Sequence, residues 1–276
     1  MVDSYQQRFG GIGRLYGKDS AALFLRSHVC VVGIGGVGSW AAEALARSGI
    51  GTITLIDMDD ICVTNTNRQI HALVDTIGQS KVEVMAARIR QINPECDVRV
   101  IDDFITEDTL FEYIDKRYDY VLDAIDSANN KARLIAHCKR QKVGIVTTGA
   151  AGGQIDPTQI TVVDLTKTVN DPLAKKVKGL LRRHYNFSKT RNFSVPCVYS
   201  TEKLRYPQPD GSACDTKAVM QDGVRLDCSG GFGAATVVTA SFAFAAVAKI
   251  LEKLMLKDAL RKQEALKKKE EQSAAK

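Results

Sequence analysis

The sequence predicts an α/β protein built around a Rossmann-like, doubly wound and mainly parallel sheet. Short β-branched strands alternate with amphipathic helices as far as about residue 150, which is the pattern of a layered α/β sheet. The strands are almost continuously apolar, as in parallel sheets that helices cover on both faces. With 276 residues, of which 45% are hydrophobic and 25% charged, the chain is long enough to bury a large core.

The elements of this layer follow from hydrophobic periodicity and from punctuating residues. Strands are predicted at 28–32, 52–56, 98–101, 120–122 and 143–148, and helices at 39–48, 80–91 and 129–142. Ser80 and Glu83 have the spacing of a capping box at the start of the second helix, which Asn93-Pro94 ends. Beyond Gly153 the pattern changes, and residues 159–165 alternate like an antiparallel strand that extends the sheet.

The composition indicates the cellular compartment and the type of partner. Seven cysteines without a C-x-x-C pair predict reduced thiols, a cytoplasmic location and no zinc site. Lys and Arg total 38 against 32 Asp and Glu, an excess that permits a polyanionic partner without requiring one. The first residues carry neither a basic segment nor an apolar one, so no secretory signal is predicted.

Residues 229–248 contain no charge and approach the length of a spanning helix. Gly, Ala, Ser and Thr dilute this stretch, which favours a helix buried in the core or at a subunit contact. Association with a membrane is the alternative, because Lys249 and Lys253 follow directly.

A glycine-rich turn carries the first chemical signal. Gly33, Gly35, Gly36 and Gly38 follow the first strand and open the first helix. Such a turn lets the N–H groups of a helix terminus face a phosphate, and Asp57 ends the next strand, where a carboxylate holds a ribose hydroxyl. These residues indicate a nucleotide without distinguishing NAD, FAD and ATP. A turn kept only for packing is the alternative.

Charged residues after this strand–helix–strand unit indicate which type of nucleotide binds. Lys81 lies in the first turn of its helix, where the helix dipole disfavours a cation unless a polyphosphate is also bound there. A solvated lysine is the alternative. Asp123 and Asp126 follow the strand at 120–122, where two carboxylates hold Mg²⁺ beside a triphosphate or one of them caps the next helix.

Together these motifs resemble the E1-like adenylating enzymes of the ThiF/MoeB/HesA superfamily. The resemblance runs from Arg8 to about residue 150. It implies an E1-like fold and a homodimer in which Arg8 of one subunit reaches the ATP phosphates of the other. It implies further that Asp57 holds the ribose, that Arg68 and Lys81 contact the phosphates, and that Asp126 supports Mg²⁺. It also brings three further residues to the ATP site: Asp59, Asn67 and Asp123.

One branch of the superfamily matches further. Sulfur-carrier activators usually hold a zinc with two C-x-x-C pairs, which are missing here, whereas the stretches 8–11, 149–158, 171–173 and 227–233 resemble the tRNA threonylcarbamoyladenosine dehydratases. This resemblance implies ATP-dependent cyclisation of threonylcarbamoyladenosine at position 37 of tRNA, with AMP or, by a γ-phosphoryl route, ADP released. An adenylyltransferase for a ubiquitin-like sulfur-carrier protein, an NAD-dependent oxidoreductase and a non-catalytic tRNA-binding module are the alternatives.

The rest of the chain is interpreted in that light. Residues 1–256 are expected to form one E1-like domain, with a helical arm at 1–27, a nucleotide-binding core at 28–150 and a tRNA-facing, dimer-forming part at 151–256. A charged tail is expected at 257–276, either disordered or a frayed helix. The segment 166–191 is predicted to be loop-rich and to contact tRNA through its cations, which are Lys175, Lys176, Lys178, Arg182, Arg183, Lys189 and Arg191.

Three smaller expectations complete this interpretation. Cys228 is a candidate reactive thiol, although a structural thiol is favoured because ring closure needs no covalent intermediate. A monovalent cation near the ATP site is a further candidate ligand. Cysteine desulfurases or sulfur-acceptor proteins are candidate partners.

Overall fold

The structure, a computed structural model, describes residues 5–208, 210–215 and 232–274. Its helices are α1 Tyr5–Tyr16, α2 Lys18–Arg26, α3 Gly38–Arg47, α4 Lys81–Ile92, α5 Leu110–Tyr113, α6 Ala128–Gln141, α7 Pro172–His184 and α8 Thr236–Ala274. Its strands are β1 His28–Val32, β2 Thr52–Ile56, β3 Asp97–Ile101, β4 Tyr120–Asp123, β5 Gly144–Thr148, β6 Ile160–Asp164, β7 Pro196–Ser200, β8 Tyr206–Pro207 and β9 Ala213–Cys214.

Seven of these strands form one sheet in the order β3-β2-β1-β4-β5-β7-β6. All neighbours are parallel except β6 and β7, which pair antiparallel. The predicted doubly wound sheet with an antiparallel extension is therefore confirmed. The strand order reverses between β1 and β4, and in such sheets ligands bind in the crevice outside the carboxyl ends of the strands at this point.

The two faces of the sheet build two apolar cores because successive side chains of a strand point to opposite sides. Val29 and Val31 of β1 pack on the face that α3, α4 and α8 cover. Cys30 and Val32 pack on the face that α6 and α7 cover. Fully burying an aliphatic side chain of this size stabilises a fold by about 1.5–3 kcal/mol, and both faces of β1 are buried. Burial of side chains on both faces of β1 thus stabilises its parallel pairing with its neighbours.

The basic segment at 166–191 differs from its prediction, because residues 172–184 form the helix α7. Asp171 caps it by accepting a hydrogen bond from the Ala174 N–H at 2.8 Å, and Pro172 occupies the first turn, where a missing N–H costs nothing. Val177 and Leu181 recur at helical spacing and are buried. The loop prediction gave weight to the charges and overlooked this cap and apolar stripe.

The uncharged stretch and the tail both belong to α8. Val238, Phe242 and Ala246 are fully buried against the sheet, which confirms the buried helix for residues 236–248. In the described part of the chain, no helix combines the length and apolar character that crossing a bilayer requires. Of the two alternatives for the tail, disorder and a helix, the structure shows the helix, since α8 continues through Ala274; Ala, Leu, Lys and Glu are strong helix formers.

Candidate active site

The glycine turn between β1 and α3 is shaped by close backbone contacts. Gly33 has φ 87°, a conformation that favours glycine, and its N–H donates to the Ile56 carbonyl at 2.9 Å. A Cβ on Gly38 would overlap the Gly33 carbonyl oxygen, and one on Gly36 would lie 3.2 Å from Cγ of Arg68. The absence of side chains therefore brings the start of α3 and Arg68 against the same turn.

Two observations indicate that this turn is built for a polar ligand. The first turn of α3 contains no acidic residue, and no side chain caps the helix, so the partial positive charge of its N-terminus is left for an anion. Ser39 Oγ and Gln69 Oε1 are buried without a hydrogen-bond partner in the described part of the chain. Buried polar atoms without a partner are rare in folded proteins, and the Gln69 amide lies beside Gly35.

Asp57 and Lys81 form the charged wall beside the turn. The Asp57 carboxylate accepts hydrogen bonds from the Ile34 N–H at 2.6 Å and the Asp59 N–H at 2.9 Å. Lys81 Nζ lies 2.7 Å from Asp59 Oδ2 and 3.9 Å from Asp57 Oδ1. Burial raises the pKa of Asp57, while Lys81 and the two N–H donors act against that rise.

Lys81 is 5% exposed, so the alternative of a solvated lysine is wrong. The predicted capping box at the start of its helix is also wrong in its contacts. Ser80 occupies the N-cap position of α4 without a side-chain cap, and its Oγ is buried without a partner among the residues described. The ion pairs of Lys81 with Asp57 and Asp59 compensate for a cation in the first turn of the helix.

Hydrogen bonds to its backbone carbonyl hold Arg68 in place, and one of them comes from α8. Its carbonyl accepts hydrogen bonds from Trp40 Nε1 at 3.1 Å and Thr239 Oγ1 at 3.4 Å. Its guanidinium donates to the Thr64 carbonyl at 2.8 Å and to Asn67 Oδ1 at 3.0 Å. Asn67 in turn donates to the Ala234 carbonyl just before α8. Arg68 thus lies at the glycine turn, with Asn67 against its guanidinium.

Asp123, which was expected beside ATP, makes its contacts with the protein interior. Its carboxylate lies 2.9 Å from Lys131 Nζ, with 0% and 2% of the two side chains exposed. It also accepts from Thr147 Oγ1 at 2.6 Å and from the Ile125 N–H at 3.1 Å. With these contacts made in the interior, Asp123 holds the loop that carries Asp126 and is not a metal ligand in this arrangement.

Asp126 has a different environment from Asp123. It is exposed, and its carboxylate makes no hydrogen bond or ion pair with residues 5–208, 210–215 or 232–274. Neither Asp126 nor Ser127 caps α6, because the N-cap residue Ser127 makes no side-chain cap bond. Within those same ranges, no three His, Cys, Asp or Glu side chains are grouped to hold a metal. Asp126 is therefore the carboxylate of this pair that can reach a ligand.

Arg8 does not meet the other site residues within one chain. Its guanidinium lies 3.5 Å from the Ile92 carbonyl at the end of α4, and Tyr5 of the same helix bonds to the Gly49 carbonyl before β2. Both contacts lie at the amino edge of the sheet, whereas the glycine turn follows the carboxyl end of β1. Within the described chain, Arg8 and the glycine turn therefore lie at opposite edges of the sheet.

The cations predicted to contact tRNA divide into two groups. Lys175, Lys176, Arg183, Lys189 and Arg191 are exposed. Lys178 and Arg182, by contrast, are engaged within the fold. Lys178 Nζ donates to the Thr168 carbonyl at 2.8 Å, and the Arg182 guanidinium lies 5.4 Å from the centre of the Phe193 ring. Phe193 is 4% exposed and is therefore part of the core and not of the surface. Cys228 lies outside the described residues.

Sequence reasoning missed several side chains that position the site. Lys131, Trp40 and Thr239 act from other elements, and no local motif marks them. His71 is also positioned at the turn, because its Nε2 lies 3.0 Å from the Ile34 carbonyl and donates to it. The only local signal was the position of His71 two residues after Gln69.

Comparison with known proteins agrees with this geometry. Residues 11–274 match the ThiF family. The chain is 60% identical to the tRNA threonylcarbamoyladenosine dehydratase of Escherichia coli strain K12, over 93% of this chain and 97% of that protein. It is also similar to crystal structures of E. coli tRNA N6-threonylcarbamoyladenosine dehydratase, TcdA. The complex with AMP matches at TM-score 0.83 and 57% identity, and the complex with ATP at 0.82 and 55%. In both cases the match covers 94% of this chain and 99% of that chain.

Proposed function

The chain belongs to the ThiF family, and from that membership we propose that it is an ATP-dependent, tRNA-modifying enzyme. Its reaction is the dehydration of N6-threonylcarbamoyladenosine at position 37 of tRNA to the cyclic form. The observation that carries the proposal is the convergence of Arg68 and the buried Lys81 with its two aspartates on one glycine turn. The likeness to the E. coli dehydratase supports this choice of substrate.

The chemistry begins with an unreactive carboxylate. The threonyl carboxylate attacks the α-phosphorus of ATP, pyrophosphate leaves, and an acyl-adenylate forms. Because negative charge builds up on the phosphates in this step, cations held in a buried site stabilise its transition state more than water does. Lys81 and Arg68 have this role, and Asp57 orients the ribose.

Ring closure then releases the nucleotide. A nitrogen or oxygen of the same carbamoyl group attacks the activated carbonyl carbon, AMP departs, and a five-membered ring forms with the net loss of one water. Attack within one molecule has a high effective molarity, so no nucleophilic side chain is required. The main tasks of the enzyme are therefore to position the reacting groups and to neutralise the charge of the phosphates.

Mg²⁺ bound with the nucleotide would supply further neutralisation of phosphate charge. Asp126 is the residue that would hold it, because its carboxylate is exposed and Asp123 is occupied by Lys131.

The homodimer is part of the same proposal, with Arg8 acting in the site of its partner. Its place at the amino edge of its own sheet supports action across a subunit boundary. Mixing Arg8→Ala chains with Lys81→Ala chains tests this arrangement. In a mixed dimer one site has its own Lys81 and receives Arg8 from the other chain. Two inactive variants should therefore regain up to about a quarter of wild-type activity after subunit exchange, whereas Arg8 acting within its own chain would regain none.

The decisive experiment supplies purified protein with ATP, Mg²⁺ and threonylcarbamoylated tRNA and measures the mass of the released nucleosides. Loss of one water from the modified adenosine, with AMP and pyrophosphate formed, is expected. Release of ADP would show the γ-phosphoryl route instead. Pyrophosphate exchange that a sulfur-carrier protein stimulates and modified tRNA does not would overturn the dehydratase assignment.

A further inference from the structure

A basic cleft lies at the amino edge of the sheet, away from the ATP site. It encloses about 640 Å³, and its floor includes Tyr120, Gly144 and Pro196, the first residues of β4, β5 and β7. The glycine turn follows the other end of β1, about 15 Å away at the rise of a five-residue strand. The cleft is therefore separate from the site already described.

Four lysines from two elements on opposite faces of the sheet line this cleft. Lys139 and Lys142 come from the end of α6, and Lys249 and Lys253 come from α8. The side chains of Lys142 and Lys253 form no hydrogen bond or ion pair with residues in the described ranges. Asp164 is the carboxylate in the lining, and it already accepts hydrogen bonds from Thr166 and from the N–H groups of residues 193 and 195. Lys249 is paired with Glu252 at 2.7 Å, so Lys142 and Lys253 are two lysines of the lining whose charge no described side chain compensates.

The backbone at the cleft is strained in two places. Lys142 has φ 59° and Ser194 has φ 54°, in the left-handed region that favours glycine. The described part of the chain holds four non-glycine residues with positive φ, and these two both line the cleft. Lys142 occupies the C-cap of α6 in this conformation, so glycine at this position would relieve the strain.

The cleft continues the basic face of α7. Asp171 at the start of that helix accepts a hydrogen bond from the Ala150 N–H, just beyond the carboxyl end of β5. At the other end of α7, Arg182 stacks on Phe193, and the neighbouring Ser194 carbonyl accepts a bond from Lys139 at 3.5 Å. The helix thus connects the edge of the sheet that carries the active site with the edge that carries the cleft.

We propose that this cleft is a second RNA-contact site, which binds phosphates of the tRNA backbone at a distance from the modified base. This inference rests on the proposed function, since it takes tRNA as the substrate. The lysines of this cleft, together with the exposed cations of α7, fit an extended polyanion such as a sugar–phosphate backbone. Binding in the cleft holds the body of the tRNA, while the site at the carboxyl edge of the sheet receives the modified adenosine.

The test compares wild type with the double variant Lys142→Gly and Lys253→Gln. Affinity for tRNA is measured by filter binding over a range of salt concentrations. We expect the logarithmic salt slope to fall in magnitude by about two and the affinity at moderate salt to fall about tenfold. In the dehydration assay KM for tRNA should rise while kcat is retained, because the cleft does not touch the reacting atoms.

Two controls separate this effect from misfolding and from general charge loss. Lys142→Gly alone should leave the unfolding midpoint unchanged or higher, since glycine relieves the positive φ. The matched variant Lys18→Gln and Lys267→Gln removes two exposed lysines outside the cleft and should leave tRNA affinity unchanged.

Each contrary outcome has its own meaning. A cleft variant that retains wild-type affinity and salt slope overturns the cleft assignment and leaves the proposed function intact. If the wild-type protein neither binds tRNA nor dehydrates it, both proposals fall together. If the variant loses binding of polyglutamate but not of tRNA, the cleft serves an acidic protein and the RNA assignment is wrong.

Discussion

Two lysine–aspartate pairs lie at the same edge of the sheet and differ in their access to water. Lys81 pairs with Asp59, whose side chain is 55% exposed, and Lys131 pairs with Asp123, both within 2% of complete burial. Water screens the first pair, whereas the second interacts in a medium of low dielectric constant. The open pair is therefore able to exchange a carboxylate for a phosphate, and the closed pair serves as a fixed support for the loop of Asp126.

The largest expected effect comes from breaking the closed pair. Lys131→Met leaves a buried Asp123 charge without its partner, so the free energy of unfolding should fall by about 3–5 kcal/mol in a urea titration. Adding Asp123→Asn should recover much of that loss, because the uncompensated charge is removed. Lys139→Met, an exposed position on the same helix, should change stability by about 0.5 kcal/mol or less. A Lys131→Met protein as stable as wild type would show that the pair supports nothing.

Breaking the open pair should affect activity more than stability. Lys81→Ala is expected to lower ATP-dependent dehydration by about 10²–10³-fold, the usual cost of removing one charge-stabilising group from a reaction site. Affinity for tRNA should remain near that of wild type. Asp59→Asn retains the lysine and should cost less activity. If Lys81→Ala lost tRNA binding while ATP turnover persisted, the assignment of Lys81 to the phosphates would be wrong.

The smallest expected effect is on the pH dependence of the free energy of unfolding, through His71 at the glycine turn. Burial lowers the pKa of His71 to about 4, so the folded state keeps it neutral while the unfolded chain binds a proton near pH 6.5. The contribution of His71 to stability is therefore complete above pH 6.5 and is lost as pH falls toward 4.

His71→Gln should reduce the loss of stability over that interval, measured as urea midpoints at pH 7, 5.5 and 4.5. Part of the dependence should remain, because burial also lowers the pKa of His28 to about 4. His184→Gln, an exposed position, is the control. Equal pH dependence in wild type and His71→Gln would contradict the role of a neutral His71 at the turn.

The layered part of the fold was predictable from the sequence because its signals are local. Strands β1 and β2 have their predicted bounds, and α3, α4 and α6 lie within one residue of theirs. The apolar runs and the glycines that end them are contiguous in the chain. The match to the ThiF family confirms the resemblance drawn from the same motifs.

Residues of the site were predictable only where a local sequence motif marks them. The glycine turn, Asp57 and Lys81 lie together because each follows a strand or opens a helix at one edge of the sheet, and Arg68 joins them from the turn after residues 63–65. The occupation of Asp123 was not predictable, because it depends on the register that sets Thr147 opposite Asp123 and on a lysine of α6. The supports of Arg68 from α8 lie about 170 positions away along the chain, beyond the reach of any local pattern.

The length of α8 has a practical consequence. Its 39 residues extend about 58 Å at the rise of an α-helix, so its final turns project past the body of the protein. A fluorophore attached through Ala265→Cys, at an exposed position in these turns, would report the tumbling and orientation of the molecule in a chain whose Cys62, Cys214 and Cys228 are replaced by serine. The glycine turn at the far end of the helix would remain undisturbed by the label.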